Sequence, residues 1–374
     1  MRTLALFGAA IGLALSASAP AGAQEVGSIA PSFELDNNAD PNPCMEFACF
    51  RASVLDGDTL VATGAELPNV YVWVRGSTGA WSQQAVIPHP SAPVWDGEFG
   101  SQLAISGDDL LISGGTLGGL RVYHRAGATW SYLQTLPSSA SLDLENGTLV
   151  ASDENGFQVY EKGAGGLFRR RATLKLPRFV DGYLGGPVEL DRNTAVIAGG
   201  DDADGAVFVF QRLLGVWIFA QKLSAPPAAA GGGFGTAVAI DRDRIAVGAP
   251  HVPGLDPIRP GVVQTYARRG LQWRAVDLLP NPLPQYELDS YSRAFGVALD
   301  LEGTRLLVSA GRPSYPYAPY VPSNYLYELT GGSWAVSAAL DAGPARAVEL
   351  SGDTALIDYA LLRMGTAPKI FDLP

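Results

Sequence analysis

The stretch Phe234-Gly235-Thr236-Ala237-Val238-Ala239-Ile240-Asp241-Arg242-Asp243-Arg244-Ile245-Ala246-Val247-Gly248-Ala249-Pro250 decides the fold. Small and aliphatic residues run into Asp241-Arg242-Asp243, and a second aliphatic run leaves it. Asp, Asn and Gly tolerate positive φ and bond to their own backbone, so this reads as two strands joined by a tight hairpin turn. Gly235 at the start permits close backbone approach or a local bend.

Working outward, the same unit recurs seven times. The third position of each turn falls at Asp58, Asp108, Gly147, Asn193, Asp243, Thr304 and Asp353, with spacings of 50, 39, 46, 50, 61 and 49 residues. Self-similarity at such a period marks a repeat architecture. Phe99-Gly100 and Phe295-Gly296 repeat the opening, and Leu184-Gly185 is a weakened copy. A third strand carries an aromatic column at Trp73, Tyr123, Tyr160, Phe210, Tyr266, Tyr327 and Phe371. Directly before it stand Val72, Val122, Val159, Val209, Thr265, Leu326 and Ile370. Neighbours in a strand point to opposite faces. Each sheet is therefore apolar on both faces and must be covered on both.

A fourth strand starts near Trp81, Trp130, Phe168, Trp217, Trp273 and Trp334, and the seventh unit lacks one. The N-terminal stretch around 25–36, with Ile29, Phe33 and Leu35, is expected to supply it and close the ring, which hides an otherwise open edge. No 3.6-residue period survives between the glycines and prolines, so helix is nearly absent. The expected fold is all-β: a seven-bladed β-propeller of four-stranded antiparallel blades in one domain, 24–374. Six or eight blades follow if the divergent third or seventh unit is misread.

The phrase 234–250 resembles an FG-GAP repeat of the type found in exported bacterial proteins and related to the integrin α-subunit propeller. The weaker copies extend that resemblance over nearly the whole mature chain. The resemblance implies a seven-bladed propeller, often with calcium between the first and second strands. Here that loop has collapsed to turns such as Asp241-Arg242-Asp243. Two carboxylates on a tight turn cannot supply the six to eight oxygens Ca2+ wants. Asp201, Asp202 and Asp204 before Gly205 form a second candidate for Ca2+, and a solvated turn is the competing reading.

Residues 1–23 read as a signal peptide: Arg2, an apolar run Leu4 to Leu15, then Ala21-Gly22-Ala23. The chain is expected to be exported, to the periplasm or the outside of the cell, without membrane insertion. Its net charge of −11 becomes about −12 without Arg2. Such a chain repels phosphate backbones and anionic lipid, so nucleic acid and membrane surfaces are poor partners. Arg169-Arg170-Arg171 reads as a solvated outer edge. Cys44 and Cys49, the only cysteines, are expected to form a small disulfide loop. A monomer is the favoured state.

His89, His124 and His251 fall in different blades, without metal-binding spacing. No G-x-S-x-G elbow with a triad occurs. Gly231-Gly232-Gly233 opens a strand, so no helix N-terminus follows it to cradle phosphate. These features point to a non-catalytic scaffold for a protein or glycan ligand. The alternative is a propeller hydrolase or lyase, which an acid dyad or metal cluster at the central channel would favour.

Three of the longest links, 250–260, 281–291 and 312–322, belong to the fifth and sixth blades and should converge on one sector of one face. They bring Tyr286, Tyr291, Tyr315, Tyr317 and Tyr320 together with Arg312, Arg259 and His251. Tyr and Arg are enriched at binding hot spots, and proline lowers the entropy lost on binding. The competing reading is loops that pack on themselves and cap a blade. A lectin with sugar sites between blades would use the recurring Trp of the outer strands, which otherwise serve inter-blade packing.

Overall fold

The computed structural model describes residues 27–29, 33–34, 50–64, 69–91, 98–137, 141–200, 204–250, 260–282, 294–310, 324–340, 345, 347–358 and 369–373. These form seven antiparallel sheets in a ring, each a meander from an innermost to an outer strand. The innermost strands are Phe50–Asp56, Phe99–Ser106, Leu142–Glu145, Leu184–Asp191, Ala237–Asp241, Ala298–Glu302 and Ala347–Ser351. Two 3-10 turns, Gly115–Leu117 and Pro227–Ala229, are the helical structure among the described residues.

The apolar columns do what their alternation requires. Every member of the aromatic column is at most 6% exposed, and every residue before it at most 3%. The core is divided into seven clusters, one between each pair of neighbouring blades. A register shift recurs between the third and outer strands beside the aromatic column, as at Val72/Trp73 and Val209/Phe210. Such bulges add local twist, which lets flat-faced blades splay around an axis.

The N-terminal segment divides its work between two blades. Phe33–Glu34 pairs antiparallel with the last strand, Lys369–Asp372, and so completes the seventh blade as expected. Gly27–Ile29 instead adds a fifth strand, in parallel, to the outer strand of the sixth blade. The sequence reading assigned Ile29 to closing the last blade. It fails there because the two-residue pairing of Phe33–Glu34 is all the last strand takes up, and the outer edge of the sixth blade is open next to it. Cys44, Cys49 and Leu35 lie outside the described residues.

The recurring outer-strand aromatics pack between blades. Trp273 is 2% exposed, and Gln221 of the blade before it bonds both its N–H and its carbonyl. Gln134 holds the backbone of Phe168 in the same way, and Gln84 Oε1 accepts from Trp130 Nε1 at 3.3 Å. Buried His89 stacks edge-on against Phe99, and His124 Nδ1 meets Asp109 Oδ1 at 2.8 Å.

Candidate functional site

An innermost strand leaves one edge facing the channel, and its alternate N–H groups have no strand partner there. Buried backbone donors must be paired. The chain solves this with side chains from the preceding blade. Ser53, Leu55 and Gly57 of the first blade donate in turn to Asp358 Oδ2, Glu349 Oε2 and Ser351 Oγ of the last. Between other blades Leu190 N–H donates to Asp143 and Leu350 N–H to Asp300.

One level lower, the first residue of the turn clasps the next turn in six of the seven blades. Asp56 accepts from Gly107, Ser106 from Asn146, Glu145 from Arg192, Asp191 from Arg242, Asp241 from Gly303 and Ser351 from Gly57. The sequence reading took these positions as tight turns, which they are: the residues that follow, Asn146, Arg192 and Arg242 among them, sit at positive φ. It missed their second task, because the partner lies on another blade about fifty residues away. The recurrence of Asp, Glu or Ser at that one turn position was the available signal.

The channel cavity, about 410 Å3, is lined among others by Val54, Ala104, Asp143, Glu189, Asp300 and Glu349. Its carboxyls are walled in by protein, and desolvation disfavours their charged form. Burial pushes Asp143 up to about 6 and Asp300 up to about 7, against the pull of the backbone N–H groups they accept. Burial also lifts Glu189 and Glu349 well above the usual carboxylate range, and the neighbouring acids add to it. The channel carboxyls therefore take up protons at higher pH than exposed carboxylates do, because burial disfavours their charged form. Chemically such a set can donate and accept hydrogen bonds and exchange protons. Its lining is otherwise largely aliphatic.

Among the candidates from sequence, Tyr286, Tyr291, Arg312, Tyr315, Tyr317, Tyr320, His251 and Arg259 lie outside the described residues. The strand ends that anchor their links do not, and they meet. A Cβ on Gly261, just past the first link, would collide with the Phe295 carbonyl at the end of the second. A Cβ on Gly248, just before the first, would collide with the Gly296 carbonyl. Gly296 N–H in turn bonds Ser309 O at 2.8 Å, three residues before the third link. The three links thus share one footing between the fifth and sixth blades.

Asp201 and Asp202 also lie outside the described residues. Asp204 Oδ1 accepts the N–H of Gly231 at 2.7 Å. Among the described residues no group of three or more His, Cys, Asp or Glu is arranged to hold a metal ion. The turn acids at the position of the family's calcium loop are committed elsewhere: Asp241 to Gly303 and Asp243 to Arg244 at 2.9 Å. The described donors do not fit a resident Ca2+.

Comparison with known proteins agrees with this geometry. The model described as FG-GAP repeat matches residues 217–257, from the outer strand of the fourth blade through the first hairpin of the fifth. No curated protein matches the sequence. Among solved structures, a protein from Lactobacillus plantarum aligns at TM-score 0.52 and 13% identity, covering 80% of this chain and 94% of its own. A candidate 6-phosphogluconolactonase from Bacteroides uniformis aligns at TM-score 0.51 and 12% identity, covering 82% and 84%. At such identities the likeness is one of fold. The chain is a seven-bladed β-propeller whose residues 217–257 match the FG-GAP repeat.

Proposed function

We propose that this protein is an exported, non-catalytic binding scaffold that takes a protein or glycan ligand at the loops of its fifth and sixth blades. The shared footing of the three links, built on Gly248, Gly261 and Gly296, carries this reading. A rigid ring fixes the loop ends, so Tyr286, Tyr291, Tyr315, Tyr317 and Tyr320 would be presented from one sector with Arg259, Arg312 and His251. The uses found for the channel acids support a structural role for them: Asp143, Asp300 and Glu349 each accept a backbone N–H of the following blade.

The test is the double substitution Tyr317→Ala with Tyr320→Ala, screened against glycan and surface-protein arrays. Loss of a hit found with the parent protein, at an unchanged melting temperature, supports the reading. Unfolding, or an array without hits, overturns it.

One observation favours the hydrolase or lyase reading. Asp143 and Glu189, on neighbouring innermost strands, line one cavity with raised affinities for protons, as a general acid requires. Turnover of a glycoside or lactone panel that disappears in Glu189→Gln would establish it. Equal turnover in both proteins would remove it.

A further inference from the structure

The face opposite the long links carries the turns between first and second strands and those between third and outer strands. Backbone bonds hold the two kinds side by side, Arg212 N–H to Asn193 O and Arg268 N–H to Asp243 O among them. In the first, second and sixth blades the tips between third and outer strands are small or polar: Ser77 to Ala80, Gly127-Ala128 and Gly331-Gly332. In the third, fourth and fifth they carry leucine. Leu167 is 40% exposed, Leu271 65% and Leu214 fully exposed.

Leu214 stands out further. It occupies φ +50 ahead of Gly215 at φ +83, in a two-residue hairpin loop between Leu213 and Val216. Such a loop prefers Asn, Asp or Gly, since other side chains are strained there. A leucine held in a disfavoured conformation and offered wholly to water is the kind of outlier from which function is inferred. Its neighbour Val216 is 62% exposed and extends the apolar tip.

Charge divides this face in the same way. Around the leucine tips Arg169, Arg170, Arg192, Arg242 and Arg269 are exposed. Arg169, Arg170 and Arg269 have no carboxylate within ion-pair distance among the described residues. Most acids nearby are taken up: Glu161 by Arg171 and Arg212, while Asp191 and Asp241 clasp the next blade. The same level shows Asp58, Asp108 and Asp353 in the first, second and last blades, and in the fifth Asp243, which Arg244 neutralises at 2.9 Å. The net charge of −11 therefore hides a basic sector whose centre is apolar.

We infer that the leucine-tipped, arginine-rich hairpin face of the third to fifth blades docks on an anionic membrane surface. The outer strands of these three blades are neighbours around the ring. Hairpin tips of adjacent blades lie at one level of a disc, and a level row of apolar tips matches a flat, soft surface. A folded protein partner would need a pocket for each. Shallow insertion of the tips with arginines at the phosphate level is how interfacial proteins hold anionic bilayers. This differs from spanning: no described helix is long and apolar enough to cross a membrane.

The test is co-sedimentation of the full chain with vesicles of phosphatidylcholine, with and without phosphatidylglycerol. Binding is expected only with phosphatidylglycerol, weakening as salt rises. Leu214→Asn together with Leu271→Gln should lower it at least tenfold, and Arg169→Gln with Arg170→Gln by a similar factor. Leu214→Asn suits the turn better, so its melting temperature should hold or rise, which separates lost docking from lost folding. No binding of the parent protein overturns the inference, as does equal binding to pure phosphatidylcholine or to the leucine variant. Pelleting of the protein without vesicles would assign the face to a second copy of the chain and overturn it as well.

Discussion

Arg75 Nη2 on the first blade donates to Asp372 Oδ1 on the last at 2.9 Å, across 297 positions of sequence. Its Nη1 reaches Asp353 Oδ1 at 3.0 Å and Thr354 Oγ1 at 2.9 Å. One guanidinium thus spans the seam where the ring shuts, and it holds Asp353 below the usual carboxylate range, chiefly by the hydrogen bond itself. Exposed pairs contribute little singly, and networks more. Arg75→Met should lower unfolding stability by about 1 kcal/mol, read from urea melts. Asp372→Asn should then cost almost nothing further in the Arg75→Met background.

The channel acids set a pH dependence whose sign is fixed. A carboxyl whose folded pKa lies above its unfolded value contributes fully below the unfolded value and loses that contribution as pH rises through the folded one. Asp143 moves from 3.8 to about 6 and Asp300 from 3.8 to about 7. This contribution to stability should therefore fall between about pH 4 and pH 7, by on the order of 1–2 kcal/mol for each group. Asp143→Asn with Asp300→Asn keeps both backbone acceptors and removes the titration. Urea midpoints of that variant should fall less steeply over this window, the remaining slope coming from Glu189 and Glu349, and exceed the parent's at its alkaline end. A parent midpoint that rises across the window would refute the assignment.

Gly248 and Gly261 anchor the link footing by having no side chain. Gly248→Ala or Gly261→Ala forces backbone apart at the interface of the fifth and sixth blades. Overpacking of this kind costs about 1–3 kcal/mol. Calorimetry should show that loss. Any ligand bound by the neighbouring links should weaken in parallel, whereas Gly270→Ala, at a turn with open space around it, should leave ligand binding alone.

Removing residues 25–36 takes away both N-terminal strands. The last blade is then left with three strands and an open outer edge, and the sixth loses its fifth strand. An unpaired edge invites association. The truncated protein should melt earlier and form concentration-dependent aggregates by light scattering. Hydrogen exchange should show lost protection first in Lys369–Asp372.

The ring could be read from the chain because its physics is periodic. Val72 beside Trp73, or Val209 beside Phe210, cannot both be buried in a sheet covered on one side, so the stacking of blades follows from adjacent letters. The N-terminal closure was legible for the same reason: a missing outer strand leaves a countable gap, and Phe33 falls in it. The path of Ile29 was not, because a parallel addition to an already complete blade answers no deficit visible in sequence. The channel acids were the larger omission. Asp143, Glu189, Asp300 and Glu349 sit at one level of the innermost strand in four different blades, and Val54 and Ala104 occupy that level elsewhere. Without the ring, nothing marks the four as neighbours. The tyrosines of the fifth- and sixth-blade links were singled out by length and composition, and the structure adds the junction on which their links stand.

The division of the N-terminal segment between two blades bears on how the protein is made. The residues that finish the sixth and seventh sheets leave the ribosome roughly three hundred residues ahead of their partners. Each intermediate sheet can form in turn as synthesis proceeds, yet the circle has no way to shut until the final residues arrive. The early segment must wait until strands more than three hundred residues later have been made.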